Sequence, residues 1–165
     1  MEPWTPPGDR APTRVEDILA ELDRRILPRA AAKGVVYERD SCLELGQIEI
    51  SRSQMLGALE RVADNAVKFT PAGGKVRVHC ESRGGTVAVH VADSGPGIPL
   101  DRLSTVFEPF EHGDNAYTRA QGGLGIGLAI ASSLAKGMNG ELTVESEEGH
   151  GSTFTLRVPR GAGER

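Results

Sequence analysis

The sequence of 165 residues contains two cysteines, one tryptophan and only 4% aromatic residues. Cys42 and Cys80 are too few for a disulfide framework in a chain of this size, and no apolar stretch follows Met1 as a secretory signal requires. Both cysteines sit among β-forming residues. They are expected to be small buried hydrophobes in a reducing compartment, and no zinc-ligand spacing accompanies them. An unbroken apolar run is missing too, because 38% hydrophobic residues are interleaved with 25% charged ones. The sequence also lacks an excess of basic charge: 19 Lys and Arg against 23 Asp and Glu give a net charge of −4. That excludes bulk nucleic-acid binding by counterion release, so any anion must be held locally. The length fits one soluble globular domain.

What the chain does have is glycine, 21 residues gathered in three clusters without a repeat period. Clustered glycine points to sites built from backbone. The Pro-rich opening at 1–12 reads as a linker or cloning remnant, 13–160 as one domain and 161–165 as a tail. Thr13 and Glu16 form a capping box, followed by Ile18, Leu19, Leu22, Ile26 and Ala30 at helical spacing up to Gly34. Val35–Tyr37 and Leu43–Ile50 then suggest an edge hairpin. Ser51 and Gln54 open a second helix that runs to Phe69 and stops before Pro71, with Met55, Leu59, Val62, Ala66 and Phe69 on its apolar stripe. At 100° per residue, Arg61, Asn65 and Lys68 line one edge beside that stripe. Alternating residues 76–80 and 87–91 around an Arg83-Gly84-Gly85 turn form a β-hairpin ending at Asp93. Beyond the glycine-rich loop 93–99 and a short helical stretch from Leu100, regularity fails from Phe107 to Gly122, which reads as a lid. A last helix starts in the run Gly123 to Leu128 and continues to Met138, and two alternating strands, 141–146 and 152–158, close the chain. These elements predict a two-layer α/β sandwich: one mostly antiparallel mixed sheet with three longer helices on one face, plus a lid.

The candidate chemistry follows from residue type and place. The amide oxygen of Asn65 suits magnesium, and Lys68, one turn on, supplies a point charge for phosphate. The carboxylate of Asp93 ends a strand beside glycines that admit a planar ligand to the backbone, an arrangement that fits an exocyclic amine. The run Gly123, Gly125, Gly127 lacks the Lys-Ser or Lys-Thr of a P-loop and the preceding strand of a Rossmann turn. It still presents free N–H groups and a helix dipole to an anion.

Asn65 to Thr70, Asp93 to Ile98, Phe107 to Phe110 and Gly123 to Leu128 resemble, in this order, the N box, first glycine box, F box and second glycine box of the ATP-binding catalytic domain of sensor histidine kinases. Gyrase-type topoisomerases and ninety-kilodalton chaperones belong to the same superfamily. The resemblance spans Thr13 to Pro159 and implies the Bergerat ATP-binding fold. By it, Asn65 would hold a magnesium ion on the ATP phosphates, Lys68 would contact those phosphates and Asp93 would accept from the adenine amine. Gly95, Gly97 and Ile98 would shape the adenine pocket. Thr153 would support Asp93. Phe107 and Phe110 would anchor the lid, and Gly123, Leu124, Gly125, Gly127 and Leu128 would fold over the triphosphate. The resemblance also implies transfer of the γ-phosphoryl group to a histidine on a dimerisation domain, for relay to a response-regulator receiver domain.

Two departures qualify this. Arg61 stands where the family carries Asn or Glu, with Glu60 turned about 100° away, which removes a positioned general base. His112 stands where an arginine is usual, leaving His112 or Arg119 as the lid's phosphate contact. None of His79, His90, His112 or His150 sits on a dimerisation helix, so this chain is expected to bind ATP without phosphorylating itself. It is further expected to be monomeric and cytoplasmic, with the parent's membrane topology left open, and to bind no nucleic acid. A degenerate ATP-binding domain acting as a conformational module is the alternative. A serine kinase of the anti-sigma type is disfavoured by Arg61 and by the clear F box.

Overall fold

The computed structural model describes residues 10–109 and 126–161. In chain order the elements are β1 (Arg10–Arg14), α1 (Val15–Lys33), β2 (Val36–Arg39), a 3₁₀ turn (Leu43–Leu45), β3 (Gln47–Ser51) and α2 (Arg52–Phe69). They continue as β4 (Lys75–Arg83), β5 (Thr86–Asp93), α3 (Leu100–Leu103), α4 (Gly127–Gly137), β6 (Glu141–Ser146) and β7 (Ser152–Pro159). The five-stranded sheet has the order β2-β4-β5-β7-β6, and only its β2–β4 pairing is parallel. One face of the sheet carries α1, α2 and α4, as the periodicity predicts.

Each helix forms where its apolar stripe can be buried. Val15, Ile18, Leu19, Leu22, Ile26 and Ala30 face the core from α1, which runs on through Pro28. Gly34 ends it at φ 81°, with the N–H of Val35 donating to Ala30 O at 2.9 Å. At the start of α2 the Ser51 hydroxyl accepts from the Gln54 N–H at 3.3 Å, the expected cap. Met55, Leu59, Val62 and Ala66 meet Val76, Val78, Val89 and Val91 of the sheet in one cluster.

Four local expectations are overturned. The hydroxyl of Thr13 donates to Ala11 O instead of capping a helix, and Arg10–Arg14 form a strand against β3 where a linker to residue 12 was expected. β2 and β3 are not a hairpin, because β2 pairs with β4 and β3 with β1. Cys42 and Cys80 are joined in a disulfide with a Cα–Cα distance of 6.0 Å. The physical cause is the parallel pairing of β2 with β4: the Asp40 N–H still donates to Val78 O at 3.0 Å, and two residues later Cys42 reaches Cys80.

The α1 side of the domain is held by charge as well as packing. The guanidinium of Arg39, only 11% exposed, donates to Glu16 and Asp23, both of α1, at 2.9 Å each. Glu16 also accepts the Cys42 N–H at 2.8 Å, and Asp23 accepts the hydroxyl of Tyr37 at 2.9 Å.

Candidate nucleotide-binding site

Cross-strand register sets the site. One row of residues crosses the sheet on the helix-covered face: Tyr37, Val76, Asp93, Ser152 and Ser146 are successive partners across β2, β4, β5, β7 and β6. Val76 fills the core, whereas the two neighbouring strands end at this row in Asp93 and Ser152. The half-buried Asp93 accepts the Gly95 N–H at 2.9 Å. Burial pushes its carboxyl above the usual carboxylate range, and the N–H groups of Gly95 and Ser152 pull it partly back. An acceptor with few partners at a strand end is what an exocyclic amine requires.

The loop after Asp93 comes close to its surroundings. A Cβ at residue 95 would lie 2.8 Å from Phe69 O, and one at Gly97, where φ is 78°, would collide with Glu147 O. The Ser94 hydroxyl accepts the Lys75 N–H at 2.9 Å, and the Gly149 N–H donates to Pro96 O at 2.6 Å. The loop is thereby tied on one side to β4 and on the other to the β6–β7 turn. Half-buried Ile98 packs on the core, and its N–H donates to Ser146 Oγ at 2.7 Å.

α2 brings Asn65 and Lys68 along its edge. Asn65 is half-buried and its amide bonds to no described residue, which leaves both of its polar atoms available. Lys68 is exposed, 3.6 Å from Asp64 one turn earlier. The ammonium of Lys33 donates to Val67 O at 3.0 Å and to Lys68 O, closing the C-terminal end of α2 beside them. Glu60 turns away, as the helical angle predicts: Arg25 and Arg29 of α1 hold it at 2.8 and 2.7 Å, and Arg25 foremost lowers its pKa. The exposed Arg61 bends back to Gly57 O at 3.3 Å. Neither residue is set to activate a nucleophile.

Thr153 is the one described site residue that falls on the wrong side. It pairs with Ala92, so strand alternation puts it on the face opposite Asp93. Ser152, 7% exposed, occupies the position beside Asp93 instead, and Ser146 stands next to it. Alternation counted from Phe154, which lies on the core face, would have selected Ser152 from the sequence. Phe107 packs edge-on against Phe154 with ring centroids 6.0 Å apart. Gly127 opens α4, and half-buried Leu128 packs on the core. Phe110, His112, Arg119, Gly123, Leu124 and Gly125 lie outside the described residues.

Among the described residues no cluster of three or more His, Cys, Asp or Glu side chains could hold a metal ion. A magnesium ion at Asn65 would therefore complete its oxygen shell from phosphate and water, which suits that ion. No described helix is long and apolar enough to cross a membrane.

A strand-end carboxylate, a loop with no room for a Cβ at residues 95 and 97 and a helix edge carrying a free amide together define a nucleotide-binding α/β domain. Residues 52–162 match the family described as histidine kinase-, DNA gyrase B- and HSP90-like ATPases, and the chain belongs to that family. It is 35% identical over 154 residues to the autoinducer 2 sensor kinase/phosphatase LuxQ of Vibrio vulnificus, an overlap of 90% of this chain and 18% of LuxQ. It is 37% identical over 157 residues to the aerobic respiration control sensor protein ArcB of Escherichia coli, covering 91% of this chain and 20% of ArcB. The chain thus spans about a fifth of the length of these two relatives. Among solved structures it resembles full-length ShkA in complex with AMPPNP, with a TM-score of 0.82, 33% identity and coverage of 94% of this chain and 32% of ShkA.

Proposed function

We propose that this chain is the ATP-binding catalytic domain of a sensor histidine kinase, presenting the γ-phosphoryl group of ATP to a histidine on a separate dimerisation domain for relay to a response-regulator receiver domain. One observation carries this reading: the partly desolvated Asp93 carboxylate stands at the end of a central strand, beside a loop whose Gly95 and Gly97 leave no room for a Cβ. Asp93 accepts from the adenine amine, and Gly95 and Gly97 let the loop beside it pack against Phe69 O and Glu147 O, which fixes the loop at the edge of the site. Lys68 contacts phosphate and Asn65 holds the magnesium ion. When bound, that ion neutralises phosphate charge. Gly127, at the start of α4, directs N–H groups toward the same anion. Support comes from one relative named as a sensor kinase/phosphatase, another named as a sensor protein, and the AMPPNP complex of ShkA.

Glu60 is locked to α1 and Arg61 points along its own helix, so the chemistry rests on positioning and charge stabilisation. The nucleophile then comes from the partner domain, and the isolated chain is a monomer that does not phosphorylate itself. The placement of these two residues also favours a second reading, a domain that binds nucleotide only to change conformation. On this reading the chain works in the cytoplasm and binds no nucleic acid.

Titration with ATP by calorimetry, with and without magnesium, tests the site: binding by the wild type that is lost in Asp93→Ala supports it. Joining the chain to its dimerisation region tests the activity. Acid-labile phosphohistidine supports the kinase, and ATP binding without it supports the conformational module.

A further inference from the structure

The hydroxyl of Ser146 has three neighbours, and counting protons among them fixes the polarity of the pocket wall. Ile98 offers an N–H at 2.7 Å, which can only donate. Gly151 offers a carbonyl oxygen at 2.9 Å, which can only accept. A serine hydroxyl has one proton and two lone pairs. Only with its proton given to Gly151 O and one lone pair to Ile98 are all three contacts satisfied together. The third neighbour, Ser152 Oγ at 2.8 Å, donates into the remaining lone pair of Ser146 in the arrangement that satisfies all three contacts. Ser152 has spent its only proton, so both of its own lone pairs are left beside Asp93, its partner across β5 and β7.

We propose that Ser146 is a specificity-determining positioning residue that, by taking the proton of Ser152, turns the pocket wall at Ser152 and Asp93 into acceptors only. The proposal rests on the reading of Asp93 as the adenine-binding group. A wall without donors matches a purine whose six-position carries an amine, two N–H donors, and opposes one whose six-position is a carbonyl oxygen, an acceptor with no partner there. Ser146 makes no ligand contact in this account. It acts through Ser152, and it also pins the glycine loop at Ile98 to the closing hairpin.

Removing the Ser146 hydroxyl frees the proton of Ser152, so the wall gains a donor that a carbonyl purine can use. Calorimetric titration of the full chain with magnesium ATP and magnesium GTP, for wild type, Ser146→Ala and Ser146→Thr, reads this directly. For Ser146→Ala the ratio of ATP to GTP affinity is expected to fall about tenfold, the scale of one hydrogen bond gained or lost. Ser146→Thr keeps the hydroxyl and should keep the ratio. If both nucleotides weaken equally and the ratio is unchanged, Ser146 merely supports the loop and the proposal is overturned. Should Ser146→Ala fail to fold, Ser152→Ala deletes the acceptor itself and must lower the same ratio; an unchanged ratio there overturns the proposal as well. A wild type that binds neither nucleotide would overturn the adenine-site reading itself, an outcome distinct from binding without altered discrimination.

Discussion

Asp93 and Ser152 are cross-strand partners at the ends of two central strands, and the Ser152 N–H helps hold the Asp93 carboxylate in its charged form against the cost of burial. Burial remains the larger effect, and the carboxyl stays above its ordinary range. A group whose folded pKa is raised contributes stability that is fully present below its unfolded pKa, 3.8 here, and that is lost as pH rises through the folded value. Above that folded value the charged Asp93 therefore weakens the fold. Asp93→Asn is expected to raise the melting temperature at pH 7 and to abolish ATP binding. Thermal melts paired with calorimetry check this, and a variant that is both less stable and still binding contradicts it.

The disulfide between Cys42 and Cys80 closes a loop with a sequence separation of 38 that contains all of α2. Loop-closure entropy assigns such a crosslink about 4 kcal/mol. Urea unfolding with and without reductant should differ by about that amount, and Cys80→Ser should unfold like the reduced protein while ignoring reductant. Equal midpoints for the reduced and oxidised chain would show that the crosslink contributes nothing.

Arg39 satisfies two carboxylates of α1 from a largely buried position. Arg39→Ala leaves the Glu16 and Asp23 carboxylates without their cation, held only by the Cys42 N–H and the Tyr37 hydroxyl, and is expected to cost about 3 kcal/mol. The hydrogen bond from Arg39 is also the main reason the Glu16 pKa is depressed. That stability is present above pH 4.5, the unfolded value, and disappears as pH falls through the depressed one. The acid limb of a stability profile should flatten in Arg39→Ala.

A separate loss should begin nearer pH 6.5. On the open face of the sheet His79 stacks on His90 with ring centroids 4.6 Å apart, and its Nδ1 is buried without a hydrogen-bond partner among the described residues. Burial first, then the charge of His90 and Arg77, lowers its pKa from 6.5, so the unfolded chain takes up the proton earlier and stability falls as pH drops below that value. His79→Gln should remove this upper part of the profile and leave the Glu16 part intact.

Glu60 offers the converse test at the site. Its two ion pairs to Arg25 and Arg29 are partly exposed, so Glu60→Gln is expected to cost about 1 kcal/mol. ATP affinity and any phosphoryl transfer in the joined protein should be unchanged. A large loss of transfer at unchanged affinity would mean that Glu60 reaches the reacting atoms after all.

Several features were legible because they are local. The stripe of α2 follows from a period of 3.6, and its cap from Ser51. The hairpin β4–β5 follows from alternation around Gly84 and Gly85, which lie between the paired residues Arg83 and Thr86. The separation of Glu60 from Asn65 and Lys68 follows from the helical angle. Thr153 was misplaced because the Gly-Ser-Thr-Phe segment offers two adjacent hydroxyls; alternation from Phe154 separates their faces, and the register with β5 sets Ser152 opposite Asp93.

The sequence by itself determined the helices, most strands, the order of the boxes and the residue types at the site, since each depends on periodicity, capping or turn chemistry within a few positions. The tertiary structure alone decided what depends on distant partners. It paired β2 with β4 in parallel, and so brought Cys42 to Cys80 across 38 residues. It also aligned Asp93, Ser152 and Ser146 in one row, where a proton shared between two serines sets what the pocket can accept. Strand register between remote segments is fixed by burial of whole faces at once, and no local pattern carries that information.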